Sequence, residues 1–264
     1  MRTIMTAILG GVVLACGCSK SPSESGKPGP APASNSNSPS PPPSQTPAQF
    51  FGTAVISGRV TFEGTRPAPR KLAMTGDAVC TKAGDVFDES RMIAADGGVP
   101  HVFVYVKKGI NGKYAVPSDA VVLDQKGCMY VPHVFGIQIG QTLTIRNSDP
   151  TAHNVHGLPK KNDSFNYSQS SIGMTNDATF SREEVMVKVK CDVHGWMSSY
   201  AGVLSHPFYD VTDDGGRFEI GRLPAGDYTV EVWHETFQRQ AKQVTVKDGE
   251  TLTLDFVYSK GAKP

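Results

Sequence analysis

Three side chains that bind soft metal ions lie within one short stretch of this 264-residue chain. Cys191, His194 and Met197 follow a run that alternates valine with lysine, in the order Cys-x2-His-x2-Met. Copper centres that transfer electrons are bound by a thiolate, two imidazoles and a thioether, whose bond to the metal is long and weak. His153 offers the second imidazole. These four residues are therefore candidate metal ligands, and copper is the metal that they favour.

The segments around these residues resemble the cupredoxin family of type 1 blue-copper proteins. A strand-like run over 139–147 precedes His153-Asn154, and the short Cys-x2-His-x2-Met loop has the length seen in amicyanins, whereas plastocyanins have a longer gap before the methionine. The resemblance extends over about 128–203. It implies a Greek-key β-sandwich that holds one type 1 copper ion with the four candidate ligands.

The resemblance also implies roles for the neighbours of the ligands. Asn154 should tie the two ligand loops together by hydrogen bonding, which fixes the geometry around the cysteine sulfur. His194 is the expected electron port. Trp196 either covers the copper as a hydrophobic plug or helps to dock a redox partner beside His194. His156 matches a position that does not bind the metal.

A ligand set of this kind leaves no open coordination position for a substrate, so we expect one-electron transfer and no catalysis. The family implies a redox protein as partner, either a c-type cytochrome or a periplasmic dehydrogenase or oxidase. Two other functions stay open. One is a copper carrier or store, a class that more often exposes several methionines or cysteines. The other is a surface adhesion or carbohydrate-binding lipoprotein, in which the metal loop would be vestigial.

Three further histidines, His133, His206 and His234, stand outside this pattern. Isolated histidines in a globular domain are most often hydrogen-bonded structural residues. The alternative is that two of them form a second metal site, with Glu235 as a further ligand.

The N-terminus has the features of an export signal. Arg2 precedes a short apolar run that ends at Cys16, and the run is too short for an ordinary membrane span. Val-Leu-Ala-Cys16 resembles a bacterial lipobox, which predicts a signal peptide over 1–18 and lipidation at Cys16; Cys18 is a weaker candidate. The alternative is an ordinary cleaved signal peptide.

Residues 19–48 are expected to form a disordered tether, because 18 of these 30 residues are proline or serine and few are apolar. A lipid anchor followed by a tether places the protein on the membrane of a bacterial cell envelope, in the periplasm or at the outer surface. The formal net charge of +1 gives no indication of nucleic-acid binding.

The remaining cysteines suggest one disulfide. Of the five cysteines, two lie at the signal boundary and Cys191 lies in the metal loop, which leaves Cys80 and Cys128. In an oxidising compartment these two are a plausible pair. The pairing follows by elimination alone.

Period-two alternation of apolar residues, broken often by glycine, proline and aspartate, predicts an all-β protein from residue 50 onward. One of the predicted strands runs without a break from Ile137 to Arg146. We expect a cupredoxin-like copper domain over 49–205, with its core at about 128–205, followed by a smaller β-sandwich over 206–264.

That smaller sandwich resembles the carboxypeptidase regulatory-like domain. Its marks are a glycine turn before Phe-x-Ile and the segment Leu-Pro-Ala-Gly-Asp-Tyr at 223–228. Gly215, Gly216 and Gly226 are expected to supply positive φ in turns. The strand over 55–62 also resembles the opening strand of that family, in which case the copper module would be inserted into a discontinuous sandwich.

Overall fold

The computed structural model describes residues 51–259, which form strands, loops and two short 3-10 helices, with no α-helix in that range. The all-β prediction is therefore confirmed. The predicted signal peptide with Cys16 and Cys18, and the tether over 19–48, lie outside the described residues. In chain order, the elements are β1 (Ala54–Glu63), the 3-10 helices Cys80–Ala83 and Glu89–Arg91, β2 (Phe103–Lys108), β3 (Val121–Lys126), β4 (Met129–Val131), β5 (Val134–Gln138), β6 (Leu143–Asn147), β7 (His153–Leu158), β8 (Phe165–Gln169), β9 (Thr175–Ala178), β10 (Glu184–Lys190), β11 (Ser198–Leu204), β12 (Tyr209–Val211), β13 (Arg217–Leu223), β14 (Gly226–His234), β15 (Gln238–Val246), β16 (Thr251–Thr253) and β17 (Phe256–Ser259).

Strands β3 to β11 build one sandwich. A five-stranded sheet in the order β5-β11-β10-β7-β8 faces a four-stranded sheet in the order β4-β3-β6-β9. Alternate side chains from both sheets fill the space between them with buried aliphatic and aromatic residues, as period two requires. Cys191 and Met197 belong to this core.

A second sandwich uses strands from both ends of the described chain. One sheet contains β13, β1 and β16, with β17 also paired to β1, and the other has the order β12-β2-β14-β15. The predicted boundary at residue 205 does not follow this pairing, because β1 and β2 precede it and yet pair with β13 and β14. The first sandwich is thus inserted between β2 and β12 of the second.

The two sandwiches share an apolar contact. Phe103 and Tyr105 of β2 pack with Val134 and Leu204 of the inserted sandwich. Next to it, the side chain of Arg239 donates a hydrogen bond to the carbonyl of Val185. These contacts join the inserted sandwich to β2 and β15 of the other.

Two local predictions were wrong. The strand expected over 137–146 is divided into β5 and β6, which lie in different sheets, because Gly140 adopts φ +79 and Gln141 N donates to the Gln138 carbonyl in a turn. Of the three glycines expected at positive φ, only Gly216 has it, at +77, and an added Cβ there would lie 2.3 Å from the Val60 carbonyl oxygen.

Among residues 51–259 we find no helix whose length and hydropathy would carry it across a membrane.

Candidate metal centre

Adjacent strands bring the candidate ligands to one end of the five-stranded sheet. Cys191 follows the last residue of β10, Met197 precedes the first residue of β11, and His194 lies in the loop between them. His153 is the first residue of β7, which pairs antiparallel with β10. Antiparallel pairing places the start of β7 beside the end of β10, so residues far apart in the sequence meet here.

The ligand atoms of His153, Cys191 and His194 converge. One nitrogen of each imidazole and the cysteine Sγ all lie within 4.8 Å of one another. The two Nδ1 atoms are 3.0 Å apart, and His194 Nδ1 is 3.9 Å from Cys191 Sγ. All three side chains are buried, with exposed fractions of 3% or less.

This arrangement fits a soft cation. His153 Nε2 lies 2.9 Å from Asp149 Oδ2. In the neutral ring, Nε2–H therefore donates a hydrogen bond to Asp149, and Nδ1 presents a lone pair. That lone pair points towards the Nδ1 of His194 in a buried space that it shares with a thiol. The two imidazole nitrogens and the cysteine sulfur are donors that suit copper.

Asp149 is the residue that orients His153, and the sequence reasoning had not identified it. Its two carboxylate oxygens also accept the backbone N–H groups of Gly127 and Cys128, at 2.7 and 2.8 Å. A carboxylate that accepts from the outer nitrogen of a ligand histidine fixes the tautomer and makes the ring a better donor. The position of Asp149 four residues before His153 is the one signal in the sequence that could have indicated it.

Hydrogen bonds at the site shift the pKa values of the ligand side chains. Burial raises the pKa of the Cys191 thiol, but a hydrogen bond with His153 and backbone N–H groups of Asn154 and His194 outweigh it, so this pKa is lower than usual. Burial lowers the pKa of His153, but hydrogen bonds with Cys191 and Asp149 raise it above its ordinary value. Burial and the neighbouring His153 both lower the pKa of His194. A thiolate beside imidazoles is the state that a metal ion requires.

Asn154 lies where it can tie the two ligand segments together. Its side-chain oxygen accepts the backbone N–H of Asp192, directly after Cys191, at 3.1 Å. The backbone carbonyl of Asn154 accepts the hydroxyl of Tyr130 at 2.5 Å, which holds the start of β7 against the opposite sheet. The hydrogen bond predicted between the ligand segments is therefore present.

Met197 and Trp196 complete the loop. Met197 is 1% exposed; its N–H donates to the His194 carbonyl at 2.9 Å, and its own carbonyl accepts from Cys191 N at 3.2 Å. Trp196 lies over the His194 ring with centroids 5.0 Å apart and donates Nε1–H to the Cys128 carbonyl at 3.0 Å. Such contacts favour the covering role of Trp196 over the docking role.

His194 was the expected electron port, which would need an edge of the ring at the surface. Its side chain is only 3% exposed. Its outer nitrogen, Nε2, lies 3.7 Å from Asp77 Oδ2 and 3.8 Å from Cys80 Sγ. A disulfide joins Cys80 to Cys128, the pair left over in the sequence. The sequence carried no signal for Asp77, because its position in the sequence is far from that of every ligand.

Each of the three histidines considered for a second metal site is engaged elsewhere. Nδ1 of His206 accepts the N–H of Phe208, and Nδ1 of His234 accepts the N–H groups of Thr236 and Phe237. His133 Nε2 lies 2.5 Å from Glu235 Oε1. Within the part of the chain that the structure describes, none of the three clusters of potential metal ligands contains His133, His206 or His234.

Comparison with known proteins gives one family match and several structural likenesses. Residues 205–259 match the family model of the carboxypeptidase regulatory-like domain, as the sequence predicted. No curated protein sequence matches the chain. Part of the chain is similar to cupredoxins among the solved structures.

Three of these solved structures illustrate the likeness. Amicyanin from Paracoccus versutus is 23% identical over 38% of this chain and 96% of its own, with a TM-score of 0.29. A purple cupredoxin from Nitrosopumilus maritimus is 22% identical over 32% of this chain and 97% of its own, with a TM-score of 0.27. A copper-containing nitrite reductase from Thermus scotoductus is 19% identical over 39% of this chain, with a TM-score of 0.31, and the match spans a quarter of that enzyme.

Proposed function

We propose that this chain is a mononuclear blue-copper protein that transfers single electrons. The observation that carries the proposal is the convergence of His153, Cys191 and His194 in a buried site, with Met197 in the same loop. A thiolate, two imidazoles and a thioether are the donors that type 1 copper takes. When bound, copper supplies a one-electron couple.

The residues of the chain would keep that couple isolated and rigid. Two strands of one sheet hold the ligand loop at both ends, and the Asn154 hydrogen bond fixes it to the segment of the first ligand. Asp149 fixes the His153 ring. Because the donors are held in place before any metal binds, a change of oxidation state requires little movement of the protein.

A site of this kind is proposed to serve electron transfer without catalysis. All three converging ligands are buried, and the outer nitrogen of His194 faces Asp77 and Cys80, so we expect no substrate to reach the metal. Electrons would pass to and from a redox protein, such as a c-type cytochrome or a periplasmic dehydrogenase or oxidase. The proposed location is the bacterial envelope, with the lipid anchor at Cys16 holding the protein to a membrane.

Copper loading tests the proposal. The full chain, purified without metal and titrated with Cu(II), should bind one copper ion and turn blue through charge transfer from the Cys191 thiolate. Cys191→Ser should lose the colour completely while keeping its fold. Met186→Leu, a change at a methionine on the preceding strand outside the site, is the matched control and should stay blue.

Two other outcomes would replace this proposal. Copper bound without colour would favour a copper carrier or store. A chain that binds no copper would favour a surface adhesion or carbohydrate-binding role, for which the carboxypeptidase regulatory-like module and the predicted tether are the relevant features.

A further inference from the structure

A segment outside the inserted sandwich covers the outer edge of His194. Residues 72–86, here called the cap segment, belong to the long connection between β1 and β2 and include the 3-10 helix Cys80–Ala83. Met74 and Cys80 of this segment are buried with Cys128, and Trp196 packs against the same cluster. A copper ion bound by the four candidate ligands needs none of these residues for coordination.

Two independent anchors hold the cap segment over the ligand loop. One is the disulfide between Cys80 and Cys128, where Cys128 also accepts the Trp196 N–H through its carbonyl. The other is Asp77. Its Oδ1 accepts the backbone N–H groups of Val79 and Cys80, at 2.7 and 3.0 Å, which cap the short helix.

The second oxygen of Asp77 contacts both ligand segments. Oδ2 accepts the hydroxyl of Thr151, two residues before His153, at 2.7 Å. The same oxygen lies 3.7 Å from Nε2 of His194, while Nδ1 of that ring points inward to His153 and Cys191. One carboxylate thus restrains the first ligand segment and faces the second ligand ring.

We propose that Asp77 is a positioning residue for His194, and that the disulfide-anchored cap segment closes the edge of this imidazole to solvent and to direct contact with a partner. The inference rests on the proposed function for its meaning, since it concerns the ligand that relatives use as their electron port. Asp77 faces the outer nitrogen of this ring at 3.7 Å, a longer contact than the 2.9 Å hydrogen bond between Asp149 and His153. A partner that docks at this end of the sandwich meets the cap segment, and not the histidine.

Two physical consequences follow for the site. A carboxylate at the outer nitrogen of a ligand ring stabilises the more positive oxidation state, so it favours Cu(II) over Cu(I). A closed edge also protects His194 from reagents that modify imidazoles. The first consequence depends on the charge of Asp77, and the second depends on the cap segment staying in place.

The metal-free chain gives the first test. Diethyl pyrocarbonate acylates accessible neutral imidazoles. Mass mapping separates His194 from His156, whose side chain is 26% exposed and serves as the internal reference. His194 should react slowly in the wild type. Asp77→Ala should speed its reaction by roughly tenfold, the effect expected from losing a cap and a further hydrogen bond. Replacing both Cys80 and Cys128 by serine should speed it at least as much.

The copper-loaded chain separates positioning from simple covering. Asp77→Asn keeps the shape and the capping acceptor but removes the charge. It should raise the reduction potential while His194 stays protected from acylation. The matched control is Asp85→Asn, an exposed carboxylate of the same segment that pairs with Lys71, and it should change neither property.

Three results would overturn the inference. His194 could react as fast as His156 in the wild type, its rate could be unchanged in Asp77→Ala and in the double serine variant, or Asp77→Asn could move the potential no further than Asp85→Asn. If the chain binds no copper, the proposed function fails, and the acylation rates alone decide whether the cap exists. Circular dichroism of each variant distinguishes local opening from loss of the fold.

Discussion

His133 should make this protein less stable at alkaline pH. The ring is buried between Glu235 and Glu89, with Nε2 2.5 Å from Glu235 Oε1 and Nδ1 3.1 Å from Glu89 Oε2. Nδ1 also lies 3.1 Å from the Ser198 carbonyl, and the His101 ring lies edge-on with centroids 5.4 Å apart. Acceptors on both sides of the ring select its doubly protonated form.

The size of the effect follows from the pKa of His133. Burial alone would lower this pKa, but the hydrogen bonds with Glu235 and Glu89 outweigh it and raise the pKa from 6.5 to about 9. At about 1.36 kcal/mol for each pH unit, the difference corresponds to roughly 3 kcal/mol of folding free energy. Because the folded pKa is the higher one, this contribution is complete below pH 6.5 and is lost as the pH rises through about 9.

Chemical denaturation of the metal-free chain at a series of pH values measures this contribution. As the pH rises from 6.5 to above 9, we expect the free energy of unfolding to fall by roughly 3 kcal/mol more in the wild type than in His133→Gln. His206→Gln is the control, because burial lowers the pKa of His206 and it should keep the wild-type pH profile. Parallel profiles for wild type and His133→Gln would refute the reasoning.

Three further predictions concern the copper end of the sandwich. Asp149→Asn should weaken copper binding by roughly 10- to 100-fold in competition with a chelator, since the His153 ring loses its charged acceptor; unchanged affinity would show that Asp149 does not orient the ring. Asn154→Ala should shift the visible absorption of the loaded protein, because the link to Asp192 is lost, and an identical spectrum would contradict that link. Trp196→Ala should lower the free energy of unfolding by about 2 kcal/mol and Trp196→Phe by about 1 kcal/mol. Equal losses would assign the role of Trp196 to its hydrogen bond, and a slower partner reaction with unchanged stability would favour docking.

The ligand set was open to prediction because three of its members lie in one loop. Spacing within a loop between adjacent strands translates directly into distance, so Cys191, His194 and Met197 could be grouped from the sequence. His153 needed the family resemblance, since nothing local connects it to that loop. Antiparallel pairing of β7 with β10 is what brings it there.

Contacts from distant segments could not be predicted in the same way. Asp77 meets His194 only because the connection between β1 and β2 crosses to the metal end, and a disulfide to Cys128 holds it there. Likewise, the pairing of β2 with β14 joins residues on both sides of the inserted sandwich. The break at Gly140 was more accessible, because a glycine inside an alternating pattern often marks a turn.

A one-electron redox titration of the copper-loaded full chain, followed by visible absorption, tests the central claim most directly. The account predicts that the colour disappears on uptake of one electron per chain and returns fully on reoxidation, over repeated cycles and with copper retained. Copper that binds without a thiolate absorption band, or that is released on reduction, would contradict a rigid electron-transfer site formed by His153, Cys191, His194 and Met197.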